Sequence, residues 1–187
     1  MTQLKANITP PINSRTALIT GDAWTLKTDL DAFYRLNVAH ETFCINRSIT
    51  APWVKGFHHW GQADADEALW FAGWIRKEFP AVWRHTLKPG PETFNVFWDE
   101  GDGQDVVEWH GGTLRMAIEI CDALGYERIM LAGCPILNGS HWYDPTGCYV
   151  NWLPETIKFW EAYKNPRVRS MSGFTRYLFG GPEDWNR

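Results

Sequence analysis

Gly111-Gly112-Thr113-Leu114-Arg115-Met116-Ala117-Ile118-Glu119-Ile120-Cys121-Asp122-Ala123-Leu124-Gly125, followed by Tyr126-Glu127-Arg128-Ile129-Met130-Leu131-Ala132-Gly133, is the stretch that decides the fold. Leu114, Ala117, Ile118, Cys121 and Leu124 recur at helical spacing and form one apolar stripe. Gly125 stands where a helix ends in a left-handed residue. The run from Arg128 to Ala132 then reads as a strand apolar on both sides, which is the habit of a parallel strand covered on both faces.

The flanks repeat this alternation. Thr16 to Thr20 is β-prone and stops at Gly21, and Leu26, Leu30, Phe33 and Tyr34 then share one helical face. Thr42 to Asn46 is a second apolar strand ending on a polar residue. Leu69, Ala72, Ile75 and Phe79 predict a helix from Asp64 to Glu78, stopped by Pro80, with Asp64 and Asp66 suited to its first turn. Ala81 to His85 and Thr93 to Trp98 are plausible strands, and Asp99 to Asp105, broken by Gly101 and Gly103, reads as a loop. After an irregular segment from Gly133 to Trp152, Pro154 opens a helix through Ile157, Trp160 and Tyr163, and Val168 to Met171 reads as a last strand. Strands alternating with helices predict an α/β fold, a three-layer Rossmann-like sandwich with a mainly parallel central sheet. Residues 1–187 read as one domain, with 1–12 as an N-terminal arm.

Composition narrows the function. The chain has 187 residues and a formal net charge of −4, a balance that argues against gripping nucleic acid through bulk positive charge. No run approaches the roughly 20 apolar residues of a membrane helix, and the polar start predicts a cytoplasmic protein. Cys44, Cys121, Cys134 and Cys148 contain no C-x-x-C pair, so buried thiols are expected rather than zinc ligands or disulfides. The acids Asp99, Glu100, Asp102 and Asp105 do not make a calcium loop, because glycines stand where an EF-hand loop needs oxygen ligands. The 12 tryptophans must be placed in a core, an interface or a stacking cleft.

In an open parallel sheet, ligands bind beyond the carboxyl ends of the strands, where helix N-termini offer unpaired N–H groups. The breaks expected at that edge supply Gly21, Asp22, Asn46, Ser48, Gly112, Thr113 and Gly133 as nucleotide-binding candidates. His58 and His59 are adjacent on a segment that could cover such a cleft; on an extended segment their rings point to opposite faces, so at most one reaches a ligand, and a surface or packing role is the expectation for both. Arg167, Arg169 and Arg176 are either a phosphate clamp or solvated side chains.

Ile19-Thr20-Gly21-Asp22-Ala23-Trp24-Thr25-Leu26, Cys44-Ile45-Asn46-Arg47-Ser48 and the helix and strand from Gly112 to Gly133 come in an order that resembles one family. It comprises bacterial sialyltransferases that use cytidine monophosphate sialic acid and related hydroxymethylpterin diphosphokinase-like proteins, with small phage proteins among its look-alikes. The family's opening Gly-x-Gly-Pro-Ser-Leu turn is matched here only by Gly21 and Leu26, and Cys134-Pro135 stands where the family carries an acidic residue. The resemblance implies a Rossmann-like sheet, a nucleotide-linked donor as substrate, and no metal or other cofactor. It also implies a histidine that takes the acceptor's proton and tyrosines that bind the leaving phosphate, roles for which His141 and Tyr143 are the candidates. The expected function is a nucleotide-dependent, glycosyltransferase-like transferase whose partner is a nucleotide or nucleotide sugar, with a homo-oligomer allowed. A non-catalytic nucleotide-binding module and a phage-type structural or assembly protein are the alternatives.

Overall fold

The structure is a computed structural model that describes residues 4–63, 65–87, 92–99, 112–149 and 153–186. Its strands are β1 (Lys5–Ala6), β2 (Thr16–Thr20), β3 (Glu41–Ile45), β4 (Phe57–Gly61), β5 (Trp83–Thr86), β6 (Val96–Asp99), β7 (Arg128–Ala132), β8 (Gly139–His141), β9 (Asp144–Tyr149) and β10 (Val168–Ser170). The helices are α1 (Leu26–Arg35), α2 (Ala65–Glu78), α3 (Gly112–Leu124), α4 (Pro154–Ala162) and α5 (Gly173–Phe179). Eight strands form one sheet in the order β1-β6-β5-β4-β3-β2-β7-β10, parallel throughout except for β1 on β6.

β2 and β3 are buried at every residue, as their apolar, β-branched sequences require of central strands. Side chains alternate across the sheet. Ala17, Ile19, Phe43, Ile45, Ile129 and Leu131 pack in one apolar cluster with α3 and with Trp160 of α4. Leu18, Cys44, Met130 and Ala132 pack in another, with Leu26, Leu30 and Phe33 of α1 and Ala68, Phe71 and Ile75 of α2. Trp60, Trp98 and Trp160 are fully enclosed, whereas Trp70 is 74% exposed, so the tryptophans serve mainly as core among the described residues.

Several local expectations are corrected. The expected arm forms the edge strand β1, with Leu4 buried beside it, because its backbone groups find partners along β6. The segment carrying His58 and His59 is an interior strand, β4, paired on both sides. Both histidines take the expected packing role rather than covering a cleft: His58 Nδ1 accepts the Thr42 N–H at 3.1 Å, and His59 is buried. The segment after Gly133 folds into the β8–β9 hairpin instead of staying irregular. β5 and β6 lie slightly C-terminal to the positions expected of them. The acidic loop beyond Asp99, Asp64 and Gly111 lie outside the described residues.

One polar seam crosses the α3 side of the core. The indole N–H of Trp98 donates to His85 Nδ1 at 2.9 Å, and His85 Nε2 is 3.0 Å from His59 Nδ1. His59 Nε2 is 3.0 Å from the Tyr126 hydroxyl, which donates to Glu41 Oε2 at 2.8 Å. An indole can only donate and a carboxylate only accept, so every proton between them has one consistent placement, with both imidazoles neutral. Burial supports this by pushing the His59 ring down to about 4 and His85 well below its usual range. His85→Ala is expected to destabilise the protein by about 3 to 5 kcal/mol, since it orphans Trp98 N–H and His59 Nδ1 and opens a cavity. His85→Gln is expected to lose less than half of that, because its amide can both accept and donate. Urea unfolding of the two variants checks this, and equal losses would mean that volume rather than hydrogen bonding holds the seam.

Candidate functional site

Along the chain the sheet grows from β2 through β3, β4 and β5 to β6, then returns to place β7 on the other side of β2. Connections therefore diverge between the carboxyl ends of β2 and β7, and a crevice opens at such a reversal. Gly21 and Gly133 meet there, backbone against backbone. A Cβ on Gly21 would lie 2.5 Å from the Gly133 carbonyl oxygen, and one on Gly133 would lie 2.7 Å from that of Gly21. Gly133 also has φ +68°, which disfavours any side chain there. Behind the turn, Asp29 of α1 accepts the Gly133 N–H at 2.8 Å and the Ser172 hydroxyl at 2.6 Å.

The crevice holds a cavity of about 310 Å³ lined by Gly21, Asp22, Ala23, Ile45, Asn46, Gly112, Thr113, Leu114, Gly133, Cys134, Pro135, Ile136, His141, Leu153, Thr156 and Trp160. Its size suits a small polar ligand or one moiety of a larger one. Gly112 has φ +52° and, among the described residues, nothing within 4 Å of where its Cβ would stand, and with Thr113 and Leu114 it brings the first turn of α3 to the cavity. The Thr113 hydroxyl accepts the Ala63 N–H at 3.1 Å, which ties that turn to the end of β4.

Asp22 is a strongly perturbed carboxyl in the lining. It is 6% exposed. Its Oδ2 accepts the Arg47 N–H at 3.2 Å, while its Oδ1 is buried without a hydrogen-bond partner among the described residues. Burial, only partly offset by the Arg47 backbone and charge, pushes its carboxyl up to about 7. Asn46 follows β3 in a left-handed conformation, φ 51°, and its Oδ1 is likewise buried and unpartnered among the described residues. Its carbonyl accepts the Trp60 indole N–H at 2.8 Å.

The β8–β9 hairpin brings His141 in. Trp142 N–H donates to the Asp22 carbonyl at 2.9 Å, Trp24 N–H donates to the Ser140 carbonyl at 3.1 Å, and Ala23 pairs with His141. Trp24 lies across Gly139, where any side chain would collide with its ring. Burial lowers the His141 pKa, with the Arg47 charge adding to it and the Asp22 backbone and Asp144 opposing it. The neutral ring is thereby favoured near pH 7.

Gly21, Asp22, Asn46, Gly112, Thr113, Gly133 and His141 thus share one wall-to-wall space. Ser48 and Tyr143 are not part of the lining. The Ser48 hydroxyl is spent inside the protein, donating toward the Thr20 and Ile45 carbonyls at 2.7 and 2.8 Å. The Tyr143 ring, 36% exposed, stacks on His141 with centroids 5.1 Å apart and lies under the Arg47 guanidinium at 5.0 Å. It supports the histidine from outside. The suggested arginine clamp is not assembled: Arg167 pairs with Asp122, Arg169 donates to the Pro166 and Val168 carbonyls, and Arg176 pairs with Glu183. Sequence reasoning missed Asp29, whose helical spacing from Leu26, Leu30 and Phe33 was the available signal. It also missed Thr156 and Trp160 of α4, which line the cavity.

Comparison of the chain with protein-family models, curated proteins and solved structures yields no match. Among the described residues no group of three or more His, Cys, Asp or Glu side chains could hold a metal ion, and no helix is long and apolar enough to cross a membrane.

The Asp22 carboxyl gives a signed prediction. Below about pH 4 both folded and unfolded chains hold its proton. Between about pH 4 and the folded value of about 7, the unfolded chain releases the proton while the folded chain keeps it, so this group's contribution lowers stability as pH rises. Asp22→Asn removes that penalty. The variant is expected to match the parent near pH 4 and to exceed it by several degrees in Tm at pH 8, at about 2 to 4 °C per kcal/mol. Thermal unfolding of both proteins from pH 4 to 8 measures the difference, and a pH-independent gap would contradict a desolvated carboxyl.

Proposed function

We propose that this chain is a small nucleotide-dependent transferase, glycosyltransferase-like in chemistry, with a three-layer Rossmann-like architecture and a cytoplasmic site of action. The observation that carries the reading is the convergence of Asp22, Asn46, the first turn of α3 and His141 on one cavity at the reversal of strand order. A helix N-terminus such as that of α3 favours a phosphate through its N–H groups, and the two polar side chains at the ends of β2 and β3 favour the polar remainder of a nucleotide. His141, kept neutral by burial and placed in the wall, is suited to take a proton.

In the proposed step, the acceptor hydroxyl oxygen bonds to the sugar carbon that carries the nucleotide. The carbon–oxygen bond to phosphate breaks, the leaving phosphate keeps the electron pair, and the acceptor's proton passes to His141. Tyr143, stacked behind the imidazole, holds its ring plane and does not itself meet the phosphate.

Thermal shift with nucleoside mono-, di- and triphosphates and nucleotide sugars tests binding, since a ligand at 100 times its Kd stabilises by about 2.7 kcal/mol. His141→Ala is then expected to lower the single-turnover rate by about 10² to 10⁴-fold while leaving nucleotide affinity within about threefold, because a base acts on the transition state. Binding without any turnover in the parent protein would leave a nucleotide-binding module, and an unchanged rate in the variant would remove His141 from the chemistry.

A further inference from the structure

Two oxygens in the cavity wall break the rule that buried polar atoms are paired. Asp22 Oδ1 and Asn46 Oδ1 are both closed off from bulk water and both without a hydrogen-bond partner among the described residues. Leaving such an atom unsatisfied is costly, so unexplained cases in a folded protein call for an account. Here they occur as a pair, at the carboxyl ends of the adjacent strands β2 and β3, on the wall of the same cavity. The remaining Asp22 oxygen is already engaged by the Arg47 N–H, and the Asn46 carbonyl by the Trp60 indole. Both residues are therefore held by their other polar atoms, and each has one acceptor left over.

Above about pH 7, where the Asp22 carboxyl is ionised, both atoms are acceptors without donors, and that defines what must arrive. A phosphate offers only further acceptors and would be repelled here, which separates this end of the cavity from the first turn of α3. A magnesium ion keeps several waters and near-octahedral geometry, for which two enclosed oxygens leave little room. Two neighbouring hydroxyl groups supply two donors in the space of one carbon–carbon bond and carry no charge that must be desolvated. We infer that Asp22 and Asn46 form a subsite for a vicinal diol of the substrate, the two hydroxyls donating to Asp22 Oδ1 and Asn46 Oδ1. This deepens the nucleotide-transferase reading and rests on it. Since both atoms are enclosed, the side chains turn slightly toward the opening on binding, and the donors they gain offset that movement.

A vicinal diol is found both in the ribose of a nucleotide and in a transferred sugar, and the two are told apart by paired ligands. One arm compares the four ribonucleoside 5′-monophosphates with their 2′-deoxy forms. The other compares glucose 1-phosphate with 2-deoxyglucose 1-phosphate. All are measured by titration calorimetry on the full chain at pH 8, where Asp22 is ionised, with a chelator present. Loss of one hydroxyl is expected to weaken binding about 10- to 100-fold, the worth of a hydrogen bond to a charged or buried group. A loss in the first arm assigns the diol to ribose, and a loss in the second alone assigns it to the sugar.

Asp22→Asn, which keeps the shape but turns a donor toward the cavity, is expected to collapse the hydroxyl preference to within about threefold. Asn46→Gly, which tolerates the left-handed backbone, is expected to do the same and provides an independent variant. A preference that survives in both folded variants, or parent affinities equal with and without the hydroxyl in both arms, overturns the diol subsite while leaving nucleotide binding intact. Binding that appears only when magnesium replaces the chelator overturns it in favour of a cation. If no ligand of either arm binds the parent protein, the nucleotide reading fails, and the subsite with it.

Discussion

The approach of two peptide backbones at Gly21 and Gly133 is the constraint on which the rest of the site depends. Their separation leaves no room for a side chain on either residue, and it lies where the order of the sheet reverses. With that contact made, the chain leaving β2 turns toward α1 and the chain leaving β7 turns toward the hairpin. Asp29 accepts the Gly133 N–H from beneath and the Ser172 hydroxyl from the far side, so one carboxylate on α1 joins the turn after β7 to the segment after β10. The cavity is what remains between chains that must diverge from a point of closest packing.

Asp22 shows how that geometry becomes chemistry. The same turn that brings the glycines together draws its carboxyl out of water, and the backbone N–H groups of Arg47 and Ser48 do not replace the hydration lost. A carboxyl raised to about 7 is a cost to the folded state at neutral pH, and such costs are characteristic of sites shaped for a ligand rather than for stability. The hairpin adds to the same arrangement. By pairing with Ala23 and the Asp22 carbonyl, it closes the cavity with His141 and shields that ring with Tyr143.

The sheet beneath is specified differently. On one face Leu18, Cys44, Phe33 and Ile75 pack together, with the buried Thr20 and Ser48 hydroxyls bonded to each other. On the other, the seam from Trp98 to Glu41 crosses β6, β5, β4 and β3 and returns through Tyr126. A strand displaced by one residue would turn its seam member to the opposite face and strand the donors and acceptors on either side of it. Apolar packing supplies most of the driving force, and the seam makes the register of these strands unequal to its alternatives.

The central α/β pattern was legible in the residues alone, because it depends on local periodicity. Thr16 to Thr20 and Arg128 to Ala132 are short apolar runs, Leu114 to Leu124 is a helical stripe, and Gly21, Asn46, Gly112 and Gly133 are breaks at element ends. Since the crevice of a parallel sheet gathers its strand ends, Gly21, Asp22, Asn46, Thr113 and Gly133 could be grouped before any coordinates. What tertiary structure decided is everything that depends on a partner remote in sequence. β1 needed an open edge on β6. His59, for which a surface or a packing role was open, became a core residue only when His85 and Tyr126 came within hydrogen-bond reach. Ser48 and Tyr143, chosen by position, were turned away by the Thr20 and Ile45 carbonyls and by Arg47. Periodicity encodes which face of an element is apolar, but not which polar atoms will meet across the sheet, because those meetings are set by strand order and register.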